Sequence, residues 1–321
     1  MIMLDRFLHH SRLLFGSGDS CQAWLDGKAR GSAQALRIDF RGSSQTGSFL
    51  ARQLFESAPD IATPGSRGSS GAHLQIIERP PLAALLNPPL HHLRLAVWIS
   101  QQIDLRGPDG KPFTFSRHVR READRHIRRN GFRLDFSPGA QALTEFFQHM
   151  YQPYVRARFD DQAILVDEHA FMRHAKGQQL ARLLAGDEWV AGMLLGRDAR
   201  TLRFGWFGAC SSPALPGASE ALDVMIIRWA LEQKMERIIL GHSRPSLRDG
   251  VLRYKSRIGG RIRATRFPQS QIFIRILKPD PWLVACLNEA GFIRIQAGAA
   301  HVCRVECNAG AIQVHLVPLE P

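Results

Sequence analysis

The chain has 321 residues, enough to bury a sizeable core and to hold two domains of ordinary size, and its 45% hydrophobic and 22% charged content excludes a disordered polyelectrolyte. A formal net charge of +13 points to a partner rich in phosphate or carboxylate, with a solvated basic surface as the plainer reading. No apolar run approaches ~18 residues, so the composition gives no membrane-spanning helix.

In chain order, the opening stretch MIMLDRFLHHSRLLFG is interrupted by Asp5, Arg6, His9 and His10 and makes a poor signal peptide, so a soluble, cytoplasmic protein is expected. Residues 16–35 and 57–72 are rich in Gly, Ser and Ala and read as loops, TPGSRGSSGA at 63–72 most clearly. Strand-like runs follow at 35–40 (ALRIDF), 73–79 (HLQIIER) and 93–99 (LRLAVWI). The Pro-Asp-Gly turn in LRGPDGKPFTFS, 105–116, reads as a hairpin.

From Ser116 the pattern turns helical. Ser116 is placed to cap, Val119, Ala123 and Ile127 share one face, and Asn130-Gly131 supplies a stop. Residues 116–133 carry +5 and residues 244–266 carry +7, so two segments hold nearly all of the excess charge. These basic residues are expected to face a common groove. After a strand at 132–136 come a Pro-initiated helix from 137, a hairpin turning at Gly186-Asp187, a strand in TLRFGWFGAC, an amphipathic helix over 218–234 and a buried strand at 237–243. The 202–208 and 237–243 strands are expected to be parallel neighbours, because the helix between them is long enough for a crossover. Glu220, in that helix's first turn, reads as charge complementing the dipole.

The segment RDGVLRYKSRIGG, 248–260, carries a turn signal toward each end and holds four basic residues, Arg248, Arg253, Lys255 and Arg257. Among 42 basic residues only six are lysine, and one of them is Lys255. The five cysteines are odd in number, and Cys303 and Cys307 lack a second pair to complete a zinc site, so buried free thiols and no metal are expected.

The co-linear order of the Arg-rich helix ending RRNGF, the helix with MYQPYVRARF, the WVAGMLL strand, the IRWALEQKMERIILGHS pair and LRYKSRIGG resembles the C-terminal lobe of the GNAT-like acyltransferases of the Fem type. The likeness spans roughly residues 113–265. Tyr254, Lys255 and Gly259 match the family's last motif, while Ile258 stands where an aromatic residue is usual. The resemblance implies an α/β fold with a GNAT-like mixed sheet and flanking helices in two tandem lobes, a reduced N-terminal one over 1–115 and a C-terminal one over 116–321.

It also implies an N-acyltransferase that moves an acyl or aminoacyl group from acyl-CoA or aminoacyl-tRNA to a small-molecule or peptide amine. Lys255 would stabilise the oxyanion as a compact point charge, and Tyr254 would protonate the leaving group. Asp249 is a candidate base as well as an ordinary turn residue. Gly208, Gly217, Ala218 and Ser219 would offer backbone N–H groups to the carrier's phosphates, with Arg253 and Arg257 gripping them. Tyr151, Tyr154, Arg156, Arg158, His242 and Arg248 would contact the acceptor. The usual acetyl-CoA signature is absent, which leaves the donor open. Two other readings remain: a nucleic-acid-binding protein that uses helix 117–129, which lacks stacking aromatics, and a non-catalytic GNAT-like scaffold.

Overall fold

The computed structural model describes residues 20–62, 71–107, 109–137, 140–159, 166–210, 215–263, 269–308 and 311–319. The loop expected at 63–72 therefore lies almost wholly outside the described residues. Contacts divide the chain into two units, one drawn from 1–100, 242–253 and 262–321 and the other from 101–241 and 254–261. The division falls near residue 100 rather than 115, and the C-terminal segment packs with the first unit.

In the first unit, β1 (Ser20–Lys28) and β2 (Ala35–Ser43) form an antiparallel hairpin. β1 lies in a stretch whose composition reads as loop, yet Ala23, Trp24 and Leu25 are buried, so both faces of the strand are covered at its middle. Helix α1 (Ser44–Leu54) is capped by Ser43, whose Oγ accepts from the Thr46 N–H, and its Phe49, Leu50 and Leu54 are fully buried. Packing of that face, rather than propensity, makes a helix of a segment holding two serines and a glycine. The chain continues through β3 (Asp60–Ala62), β4 (Leu74–Arg79), the short helix α2 (Pro81–Leu86) and β5 (Leu93–Ala96). β4 runs parallel to β2, so hairpin, crossover helix and parallel strand form one β1–β2–α1–β4 motif.

The run read as one strand at 93–99 is two. It breaks at Val97-Trp98, and β6 (Ile99–Asp104) belongs to a different sheet. Beyond it the backbone turns tightly, with Gly107 N–H bonded to Lys111 O and Phe113 N–H to Leu105 O, so the expected hairpin is a turn closed by an isolated bridge. Helix α3 (Arg117–Asn130) has the expected cap at Ser116 and a left-handed Gly131 at its end. Val119 and Ala123 are buried and the arginines cover the outside.

Strand β7 (Phe132–Ser137) is followed by α4 (Ala140–Glu145), one π-helical turn (Phe146–Tyr151), α5 (Gln152–Phe159) and α6 (Glu168–Ala175). Then come β8 (Gln179–Ala185), β9 (Glu188–Asp198), β10 (Thr201–Ala209), α7 (Ala218–Glu232), β11 (Arg237–Ser243), α8 (Gly250–Arg257) and β12 (Arg261–Arg263). The seven strands order as β12-β6-β11-β10-β9-β8-β7. β7 to β10 are successively antiparallel, whereas β10 and β11 are parallel, as the crossover by α7 requires. The β9–β10–α7–β11 run thus repeats the motif of the first unit. Its core holds Ala221, Leu222, Ile226 and Ile227 of α7 against Val190, Ala191 and Leu202 of the sheet.

The chain closes with β13 (Gln271–Ile276), α9 (Pro281–Ala290), β14 (Ile293–Gln296), β15 (Ala299–Asn308) and β16 (Ala311–Pro318). β13 inserts between β4 and β5, antiparallel to both, and completes a sheet ordered β3-β1-β2-β4-β13-β5. That insertion is why the C-terminal segment belongs with the first unit. All five cysteines are free; Cys286 and Cys303 are buried as expected, but Cys21 is exposed. Among the described residues no group of three or more His, Cys, Asp or Glu side chains is arranged to hold a metal, and no helix is long and apolar enough to cross a membrane.

One close approach fixes how the π turn meets the sheet. A Cβ on Gly208 would lie 2.6 Å from the Tyr151 backbone nitrogen and 2.8 Å from the Met150 carbonyl carbon. Gly208→Ala is therefore expected to destabilise the protein by about 2 kcal/mol or more, because backbone and not a flexible side chain must give way. Denaturant unfolding measures it, and a wild-type midpoint would show that the two segments are not held so closely.

Candidate active site

Parallel pairing between β10 and β11 covers only Thr201–Arg203 against Arg237–Ile239, although both strands continue. Past that point β10 carries a bulge between Phe204 and Phe207, which breaks its register with β9. Gly205 sits in the bulge, where a Cβ would lie 2.8 Å from Leu194 O. On the other strand Gly241 adopts φ +75°. The space a side chain there would take is bounded by Phe204 O at 3.8 Å and by Lys255 Nζ at 3.9 Å. The ammonium of Lys255, carried by α8, thus reaches the place where the two strands stop pairing. A left-handed glycine leaves that place unfilled.

Helix α7 turns two carboxylates toward α8. Asp223 is buried, and its Oδ2 accepts a hydrogen bond from the Tyr254 hydroxyl at 2.5 Å. Its Oδ1 is buried with no hydrogen-bond partner. Burial pushes the Asp223 carboxyl up to about 7, against the opposing pull of the Tyr254 hydrogen bond and the Lys255 charge, while nearby Glu220 adds to the rise. Burial first, and Asp223 second, raise the Tyr254 phenol above its ordinary value. Glu220 Oε2 accepts from Arg257 at 3.1 Å, and the Arg257 guanidinium lies 5.5 Å from the Tyr254 ring centre. Glu220 lies in the first turn of α7, as expected, and is also buried and ion-paired.

The 248–260 segment is not a pair of turns around a loop. Asp249 caps α8, its Oδ1 accepting from the Leu252 N–H at 2.7 Å, and Gly250 is the first helical residue. A helix spaces Tyr254 and Arg257 three apart on the side that meets Glu220 and Asp223. Gln101, fully buried on β6, donates to Ser256 at 3.0 Å and fastens the same helix.

The other expected site residues have mixed fates. Gly217 is the left-handed N-cap of α7, and a Cβ on it would strike the His126 ring at 2.3 Å; no side chain caps this helix, whose first residues are Ala218 and Ser219. Tyr151, expected at the acceptor, is buried among Phe146, Phe147, Phe171 and Trp206, and its hydroxyl is pushed up to about 12 by burial. It reads as core. Tyr154 is half-buried, with Arg158 donating to its hydroxyl at 2.8 Å, and Arg156 and Arg158 are exposed.

In the first unit, His242 is exposed beside Trp98, Arg253 is exposed, and Arg248 pairs with Glu289 at 2.6 Å. Arg244, one of the expected groove cations, is buried 3.7 Å over the Trp98 ring and donates to the carbonyls of Val97 and Gln45. It is a structural cation. Asp223 went unread in the sequence, although two acids three apart on an otherwise apolar helix face were the available signal.

No family model and no curated protein matches the sequence. Solved structures do. L-PGS from Bacillus licheniformis is 16% identical over 89% of this chain and 95% of that one, with a TM-score of 0.44. FemX is 10% identical over 81% and 87%, with a TM-score of 0.42. A GCN5-related N-acetyltransferase from Sphaerobacter thermophilus is 12% identical over 63% and 58%, with a TM-score of 0.37. With β7 to β10 successively antiparallel, β10 and β11 parallel across a crossover helix, and the same motif repeated in the other unit, the chain has a GNAT-like mixed α/β fold with flanking helices.

Proposed function

We propose that the protein is an N-acyltransferase that moves an acyl or aminoacyl group from acyl-CoA or aminoacyl-tRNA to an amine. The observation that carries this reading is the Lys255 ammonium at the point where β10 and β11 cease to pair, next to a buried carboxyl poised near neutrality. An amine attacking a carbonyl there forms a C–N bond and places negative charge on the carbonyl oxygen, which Lys255 stabilises. The attacking ammonium must lose a proton and the departing sulfur or oxygen must gain one. Asp223 in its carboxylate form takes the proton that the ammonium loses, Tyr254 gives its hydroxyl proton to the leaving group, and Asp223 then passes its proton to Tyr254 along the hydrogen bond they share. Asp249, engaged as a helix cap, is replaced in this role.

The test is transfer to amine acceptors from a panel of acyl-CoA species and aminoacyl-tRNAs, with thermal shift as an independent sign of donor binding. If no donor is turned over and none raises the melting temperature, the reading fails. The exposed arginine face of α3 favours the larger polyanion among the two carriers. Tight tRNA binding is then expected to fall linearly on a log–log plot against salt. Replacing Arg120, Arg121 and Arg128 together by alanine should reduce the slope by about 2 to 3. An unchanged slope would mean that those arginines only keep the surface solvated.

A further inference from the structure

Segment Arg79–Arg94, RPPLAALLNPPLHHLR, has no part in the chemistry above. Its helix α2 buries only Ala84. Leu82, Leu85 and Leu86 share one face and are 60%, 73% and 73% exposed, and Leu90 beyond the helix is 75% exposed. Folding does not hide these side chains, and contiguous apolar surface of this kind is uncommon on a protein that has no partner for it. Proline at Pro80, Pro81, Pro88 and Pro89 brackets the helix, so the leucines are presented on a stiff projection rather than a mobile loop.

Within the segment itself the charge is of one sign. Across residues 79–94 there is no Asp or Glu, while Arg79 and His91 are exposed. Leu90, His91 and His92 line one depression with Arg275, Ile276 and Leu277, and Lys278 is exposed next to it. Apolar side chains in a cationic rim on a chain of net charge +13 are repelled by a second copy of the same surface and attracted by an anionic one. We propose that α2 and Leu90 form a docking site for an anionic phospholipid bilayer, the leucines entering the headgroup region and the flanking cations meeting lipid phosphates and carboxylates. This inference is independent of the acyl-transfer reading and stands if that reading fails.

The test is co-sedimentation of the full chain with vesicles of equal parts phosphatidylcholine and phosphatidylserine, and with phosphatidylcholine alone. Wild-type protein is expected to bind the anionic vesicles and to bind the neutral ones much less. Leu85→Gln combined with Leu86→Gln, which leaves the net charge unchanged, should weaken binding by about tenfold or more without moving the thermal unfolding midpoint, since both side chains are already in solvent. Full retention of binding by the double variant would assign any vesicle affinity to general basicity and overturn the site. Equal binding to neutral vesicles would overturn the lipid class. Light-scattering detection of a wild-type dimer that the double variant abolishes, without vesicle binding by either, would assign the leucines to a second copy and overturn the proposal.

Discussion

Lys255→Met is expected to lower turnover by about 100-fold or more while donor affinity stays close to wild type. A charge used only as the oxyanion forms is lost from kcat, and methionine preserves the length of the stem. Lys255→Arg should be impaired as well, because a planar guanidinium spreads over a fork the charge that the compact ammonium concentrates beside Gly241. The Lys255 charge also pulls the Asp223 carboxyl downward, so its removal should move any limb of the pH–rate profile set by Asp223 to higher pH. Arg253→Ala, by contrast, should mainly weaken donor binding. Single-turnover rates and donor Kd separate these roles. Wild-type turnover in Lys255→Met would leave this lysine with no catalytic part.

Asp223→Asn is expected to make the protein more stable and inactive. The fold holds this carboxyl up to about 7, whereas an unfolded aspartate ionises near 3.9. Between those values the folded state binds more protons than the unfolded one, so stability falls as pH rises and the loss is complete above about 7. For a group buried this fully, the ionised form costs roughly 4 kcal/mol. Asparagine keeps an acceptor for the Tyr254 hydroxyl and cannot ionise. The variant should match wild type near pH 4 and exceed it by up to roughly 4 kcal/mol at pH 8, with transfer activity lost. Denaturant unfolding at both pH values is the measurement. Parallel pH dependences would show that Asp223 titrates as an ordinary carboxyl.

The difference between what could be read in the sequence and what could not follows the range of the interactions concerned. Helix α3, with Ser116, Val119, Ala123 and Gly131 all in their expected parts, and the parallel β10–β11 pair are set by local periodicity and by the length of a crossover. The β8–β9 hairpin at Gly186-Asp187 is equally local. What escaped was non-local. Strand β1 lies in a Gly- and Ser-rich stretch and gains its identity from pairing with β2, and the six residues of β13 do not reveal that their neighbours are nearly two hundred positions upstream.

At the site the same division holds. Lys255 stood out by composition, and Tyr254 and Gly259 by their motif, but Asp249-Gly250 looked like a turn because a cap and a turn begin with the same residue type. Asp223 acquires its character from burial against Tyr254, which no window of α7 contains. The place of Tyr151 in the chain points to the acceptor, whereas the π turn directs it into an aromatic core.

The position of β13 bears on how the molecule is made. During synthesis β4 and β5 emerge early; β4 can pair on one side with β2, but its other edge and the partner of β5 wait until residues 271–276 have left the ribosome. Through that interval two apolar strands, carrying Leu74, Ile76, Leu93 and Leu95 that end fully buried, keep open edges able to pair with other chains. Closure of so long a loop is also entropically slow, so the first unit to begin emerging is the last to be finished. A chain arrested anywhere before Gln271 therefore carries an incomplete sheet in its N-terminal unit, whatever the state of the residues that follow, and is a natural substrate for chaperones and proteases.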